Sequence, residues 1–145
     1  MSFTHLSTQL CDKLLHDRQG RISLVGTFLN VKAQRFPTAN DMGVVVVFRG
    51  DAGDPYCITV ERPSMPPITI VQGTVEPPAE LEHEYQLWAV AAAFEVNAVF
   101  PEPGIYSIVL RSGDEVVHAH QFGVFPAAAP RPQEETPDAE EVANA

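Results

Sequence analysis

The sequence predicts an all-β chain: an antiparallel β-sandwich of about eight strands, immunoglobulin-like or jelly-roll-like, with a disordered acidic C-terminal tail. Three observations lead there. Short runs rich in Val, Ile, Thr and aromatic residues recur through residues 1–125, and such residues suit a pleated, half-buried surface. Prolines and turn residues separate the runs, as the ends of strands require. No amphipathic helix of ordinary length alternates with them, so a parallel α/β sheet is not expected. The 145 residues are 45% hydrophobic, enough for one domain with a real core.

The strands follow in order. "LCDKLLHDRQGRISLVGTFLNV" (Leu10 to Val31) reads as a hairpin turning at "DRQG", with Gly26 at a bulge or a close backbone approach. "GVVVVFRG" holds the run Val44 to Val47, which suits a strand covered on both faces: a central strand or a dimer interface. "YCITVER" alternates, with Tyr56, Ile58 and Val60 on one face and Cys57, Thr59 and Glu61 on the other. "ITIVQGTVE" alternates less well. Glu80 to Phe100 begins with helix formers and carries three consecutive alanines, so a helix is open there. Val90, Val96, Val99 and the flanking Pro78 and Pro101 favour a strand from about Gln86. "IYSIVLRSGDEVVHAHQFGVF" is the clearest hairpin, turning at Ser112, Gly113 and Asp114. Pro63, Pro66, Pro67, Pro77, Pro78, Pro101 and Pro103 are all placed between strands. From Pro126 onward the chain has four prolines, five acids against the single Arg131, and no aromatic residue. Residues 126–145 are therefore expected to be a disordered tail.

The formal net charge is -10. An acidic chain without a Lys/Arg cluster repels phosphate backbones, so neither nucleic acid nor an anionic membrane is an expected partner. No run of 18 apolar residues occurs, which argues against a spanning helix. The start "MSFTHLSTQLCDK" has neither a basic n-region nor a long apolar segment. A cytoplasmic location with free thiols at Cys11 and Cys57 is the expectation; a disulfide tying two sheets together is the alternative.

Two stretches carry a resemblance. Cys11, Asp12, Gly20, Arg21, Ile22, Ser23, Leu24, Gly26, Phe28, Phe36 and Pro37 fit a pattern in which "CD" leads through "G-[KR]-[IL]-S-L-x-G-x-F" to "FP". Pro103, Gly104, Tyr106 and the closing "F-x-V" at Phe122 to Val124 fit its final hairpin. The chain thus resembles a family of small bacterial β-rich proteins defined only as a domain of unknown function. The resemblance implies a β-sandwich and supplies no activity, cofactor or site.

Several constellations invite a chemical reading. His118 and His120 in "HAHQF" share one strand face, and side chains at i and i+2 can face one Fe, Mn or Zn ion. They are the metal-ligand candidates, with His5, His16, His83, Glu115 or an Asp as distant third ligands. The bland reading is a half-buried edge, since Phe122 and Val124 have the same parity. Asp51 and Asp54 in "RGDAGDP" could bind Ca²⁺, but Gly, Asp and Pro are also what a turn requires. Arg49-Gly50-Asp51 spells an adhesion tripeptide, read here as coincidence. Cys11 beside His5 or His16 suggests a thiol nucleophile, but strand alternation turns Cys11 and His16 opposite ways, and a buried Cys is commoner. Tyr85 and Trp88 could form a contact surface; large aromatics more often enter the core. No G-x-S-x-G elbow and no phosphate-binding glycine loop occur.

The function expected is a non-catalytic module acting through a protein partner or self-association, with no cofactor; small-molecule binding stays open. The alternatives are a metal- or small-ligand-binding sandwich or enzyme with its site near His118 and His120, and a structural component of a mobile-element or secretion-like assembly.

Overall fold

The computed structural model describes residues 3–62 and 64–128. They form β1 (Thr4–His16), β2 (Ile22–Phe28), β3 (Asn30–Ala33), β4 (Thr38–Arg49), β5 (Pro55–Arg62), β6 (Met65–Thr74), β7 (Val90–Phe100), β8 (Gly104–Ser112) and β9 (Glu115–Pro126), and no helix among the described residues. One sheet has the order β2-β1-β4-β7, the other β3-β9-β8-β5-β6. Every neighbouring pair is antiparallel except β3–β9, which is parallel.

The all-β sandwich is as expected, with nine strands. The extra one comes from "ISLVGTFLNV", which forms two strands in different sheets. Phe28 and Val31 both contribute to the main core, yet they are three residues apart, so no single strand can point both the same way. The chain crosses between the sheets at Leu29, which is 75% exposed. Pro66 and Pro67 lie inside β6 rather than between strands. That strand is an edge of its sheet, where a missing N–H is tolerated. In the ambiguous segment, strand begins at Val90 rather than Gln86, because Val90 pairs with Phe48 and the partner strand ends one residue later, at Arg49.

The first turn forms as read. Asp17 Oδ1 accepts from Gln19 N and Arg21 N at 2.8 and 2.9 Å, and its carboxyl pKa is lowered chiefly by the Arg21 amide. Residues 126–128 belong to the fold: Pro126 ends β9, and Ala127 N donates to Ala33 O at 2.8 Å. The rest of the expected tail, 129–145, lies outside the described residues.

The main core lies between the sheets. Met42, Val44, Val46 and Phe48 of β4 meet Ile58, Tyr106, Ile108, Leu110, Phe122 and Val124 of the other sheet, all at most 3% exposed. Each such side chain stabilises the fold by about 1.5–3 kcal/mol. The run Val44–Val47 belongs to a central strand flanked by β1 and β7. Its outer side is covered too, because Cys11, Leu14 and Val45 form a second buried cluster with Ile22, Leu24, Val47 and Ala93 against it.

That second cluster depends on a change of face in β1. Leu10 points into the main core, yet Leu14, of the same parity, packs beside Cys11 on the outer side. The strand pair turns over where Asp12 lies opposite Gly26, which has φ +69°. A side chain on Gly26 would collide with the Asp12 carboxylate. Leu14 folds over Gly43, where an added Cβ would lie 2.8 Å from both Leu14 Cγ and Cys11 Sγ. The "CD" and "G-x-F" residues are thus held together by packing.

Candidate functional site

Three histidines meet where β1 and β9 face one another at one end of the sandwich. His118 and His120 sit opposite the core residues Leu110 and Ile108 and point inward half-buried, as their parity with Phe122 and Val124 suggests. His5 joins them from the other sheet. Its ring stacks on His118 with centroids 3.6 Å apart and planes within 5°, and its Nε2 is 2.7 Å from Thr8 Oγ1. Burial, then the charges of His118 and His120, lower the His5 pKa; burial, then His118, lower that of His120. The neutral imidazole is therefore favoured at His5 and His120.

A ligating imidazole holds its metal in the ring plane, through a nitrogen lone pair. Parallel rings stacked face to face have no common in-plane point, so His5 and His118 cannot share an ion as arranged. Among the described residues no three His, Cys, Asp or Glu groups are placed to hold a metal ion. Of the other third-ligand candidates, His16 and Glu115 are exposed at strand ends, and His83 lies in the 75–89 connection, 5.0 Å from the Tyr85 ring. Beside His120 is a cavity of about 300 Å³, lined also by Thr8, Leu10, Thr27 and Phe28. That is the lower end of the size range for small-ligand pockets.

Sequence reasoning set His5 aside as too distant. A bulge between His5 and Ser7 resets the alternation of β1, which turns His5 to the same side as Thr8 and Leu10. Only a parity break inside "HLSTQL", which no residue there announces, would have shown it.

Asp51 and Asp54 take the turn reading. Asp54 N donates to Asp51 O at 3.1 Å, and Gly53 and Asp54 exchange backbone bonds with Val75 at 2.8 and 2.9 Å. Cys11 is wholly buried and Cys57 partly so, and both are free. Burial is the main cause raising the Cys11 pKa, and its thiol donates to Lys13 O at 3.3 Å, opposite to what an activated nucleophile needs. The expected separation of Cys11 from His16 by simple alternation needs correcting, since β1 changes face between them. What separates them is exposure: His16 stands in solvent at the strand's end. Trp88 packs against the core as expected, whereas Tyr85 does not. Tyr85 is 80% exposed and Leu87 77%, because the 75–89 connection runs outside the sheets before β7 starts.

Two further ion pairs brace the fold. Arg111 donates from Nε and Nη2 to the two Glu61 oxygens at 2.8 Å each, and Thr59 Oγ1 donates to the same carboxylate at 2.6 Å. Tyr106 Oη donates to Glu102 O at 2.8 Å, and Arg62 lies over the Tyr106 ring while pairing with Glu102. This tyrosine corner gives the Pro103-Gly104-x-Tyr106 pattern its structural meaning.

Residues 6–125 match the model of a family described as Family of unknown function (DUF6941), and the chain belongs to that family. No curated protein matches the chain.

Proposed function

We propose that this domain is a non-catalytic module acting through protein–protein contact, and that the 75–89 connection is its contact surface. The observation that carries the reading is the exposure of Tyr85 and Leu87, with Leu81 45% exposed nearby. A connection of this length without regular structure is uncommon in a compact domain unless it has work to do. Exposed aromatics are the residues that most often anchor interfaces. Glu80, Glu82 and Glu84 are exposed among them, so the fitting partner surface is an apolar recess rimmed by basic groups. Membership of a structural assembly would use the same surface. A cytoplasmic location accords with the two free thiols.

The test is affinity capture with the full chain and with its Tyr85→Ala/Leu87→Ala variant. A partner whose recovery falls at least roughly tenfold, as loss of an interface anchor produces, supports the reading. Equal capture of every partner by both proteins defeats it.

A second reading is favoured by the convergence of His5 on His118: a small ligand bound in the cavity beside His120. Histidine-selective NMR shifts on screening small polar molecules would reveal it, and unmoved His5 and His120 resonances across such a screen would remove it.

A further inference from the structure

The two sheets present four edge strands: β2, β7, β3 and β6. An open edge offers unpaired N–H and C=O groups to another strand, and proteins usually blunt it. Three of these edges are blunted. β2 carries Gly26 in a left-handed conformation. β3 has four residues. β6 contains Pro66 and Pro67 and meets β5 through two irregularities.

β7 is different. It runs for 11 residues, Val90 to Phe100, with no Pro, Gly, Lys or Arg, and pairs with β4 along its whole length without a register break. Glu95 is its one charged residue, and that carboxylate reaches back across the sheet to accept from Leu14 N at 3.2 Å. Asn97 likewise reaches back to Asp41, at 2.6 Å. The polar side chains that could guard this edge are thus turned away from it.

We propose that β7 pairs antiparallel with β7 of a second copy of this chain, joining two four-stranded sheets into one. Charge directs a copy to this edge: a net charge of -10 opposes contact between copies elsewhere, whereas β7 brings one carboxylate per strand, and that one accepts from Leu14 N. The strand also suits itself. An antiparallel self-pairing centred on Phe94 sets Ala92 opposite Val96, Ala91 opposite Asn97 and Ala93 opposite Glu95, so the two Glu95 carboxylates lie diagonally rather than directly opposite one another. Centring on Glu95 would set the two carboxylates against each other, which selects against that register. The interface is separate from Tyr85 and Leu87, so it stands or falls independently of the proposed contact loop.

The experiment is size-exclusion with light scattering on the full chain over a concentration series, with hydrogen–deuterium exchange at both ends of the series. The expected mass rises from 15.8 kDa towards double that value, with concentration-dependent slowing of exchange in β7 and none in β2 or β6. Ala91→Glu/Val99→Glu changes two exposed positions, sets like charges diagonally across the pairing and should return the mass to that of the monomer with an unchanged circular dichroism spectrum, while Tyr85→Ala/Leu87→Ala should leave the dimer intact. A monomer throughout the series overturns the proposal. So does a dimer whose β7 amides exchange as fast as in the monomer.

Discussion

The two ends of β9 point into the same inter-sheet space and meet opposite fates. Phe122 and Val124 at one end are 2% and 1% exposed. Phe122 lies 5.9 Å from Phe100 and 6.0 Å from Tyr106, and Phe100 meets Tyr106 edge-on at 4.9 Å. His118 and His120, on the same face a few residues earlier, stay half-buried because His5 and Thr8 lie across from them. Inward parity alone therefore does not make a core residue. The side chain arriving from the facing sheet decides whether that end of the sandwich closes dry or stays polar and open. Aromatic packing is present at both ends, since Phe48, paired with His5, packs with Phe3 and Tyr56; what sets the histidine end apart is the polar patch that His5, Thr8, His118 and His120 add to it.

The sharpest way to break this contrast is Phe100→Ala. Phe100 is 1% exposed and holds both rings of the aromatic end, so denaturant unfolding should show a loss of about 3–5 kcal/mol. A loss of less than about 1 kcal/mol, within the range of ordinary surface changes, would mean that this end does not hold the sheets together. Tyr106→Phe is milder. It keeps the ring but deletes the bond to Glu102 O, and should cost about 1 kcal/mol. If Tyr106→Phe were neutral, the corner would owe its position to ring packing and the Arg62 contact alone.

Much of this was legible in the sequence, for physical reasons. Asp17 and Gly20 in "DRQG" and Gly113 in "RSGDE" are turn formers, and both turns form where they stand. The alternation of "YCITVER" holds, with Ile58 in the core and Glu61 on the outer side, paired to Arg111. The inward direction of His118 and His120 followed from Phe122 and Val124. What could not be read depends on partners distant in sequence or on local breaks in alternation. The His5/Ser7 bulge and the crossing at Leu29 each shift parity by one, and nothing in composition marks them, whereas Gly26 did mark the close approach at Asp12 where β1 changes face. The parallel pairing of β3 with β9 joins residues 30–33 to residues 123–126, and no local pattern encodes it. Tyr85 escaped because hydrophobicity predicts burial only on average.

The smallest expected effect is also the one that most directly separates the two ends. His5 and His120 have folded-state pKa values below their ordinary 6.5. The unfolded chain therefore binds more protons than the folded one just below that pH. Their contribution to stability is fully present above 6.5 and is lost as pH falls from 6.5 towards the lowered folded values. Denaturant midpoints should accordingly drop between pH 7.5 and pH 5.5, and His5→Gln should flatten the drop. It removes one of the two depressed groups. Phe122→Leu, at the aromatic end, should lower the midpoint by a similar amount between pH 7.5 and pH 5.5, since its ring neighbours are Phe100 and Tyr106 rather than histidines. A pH slope unchanged in His5→Gln would show that burial does not depress His5, and the histidine end would then differ from the aromatic end in composition only, not in the protonation state that it selects at that residue.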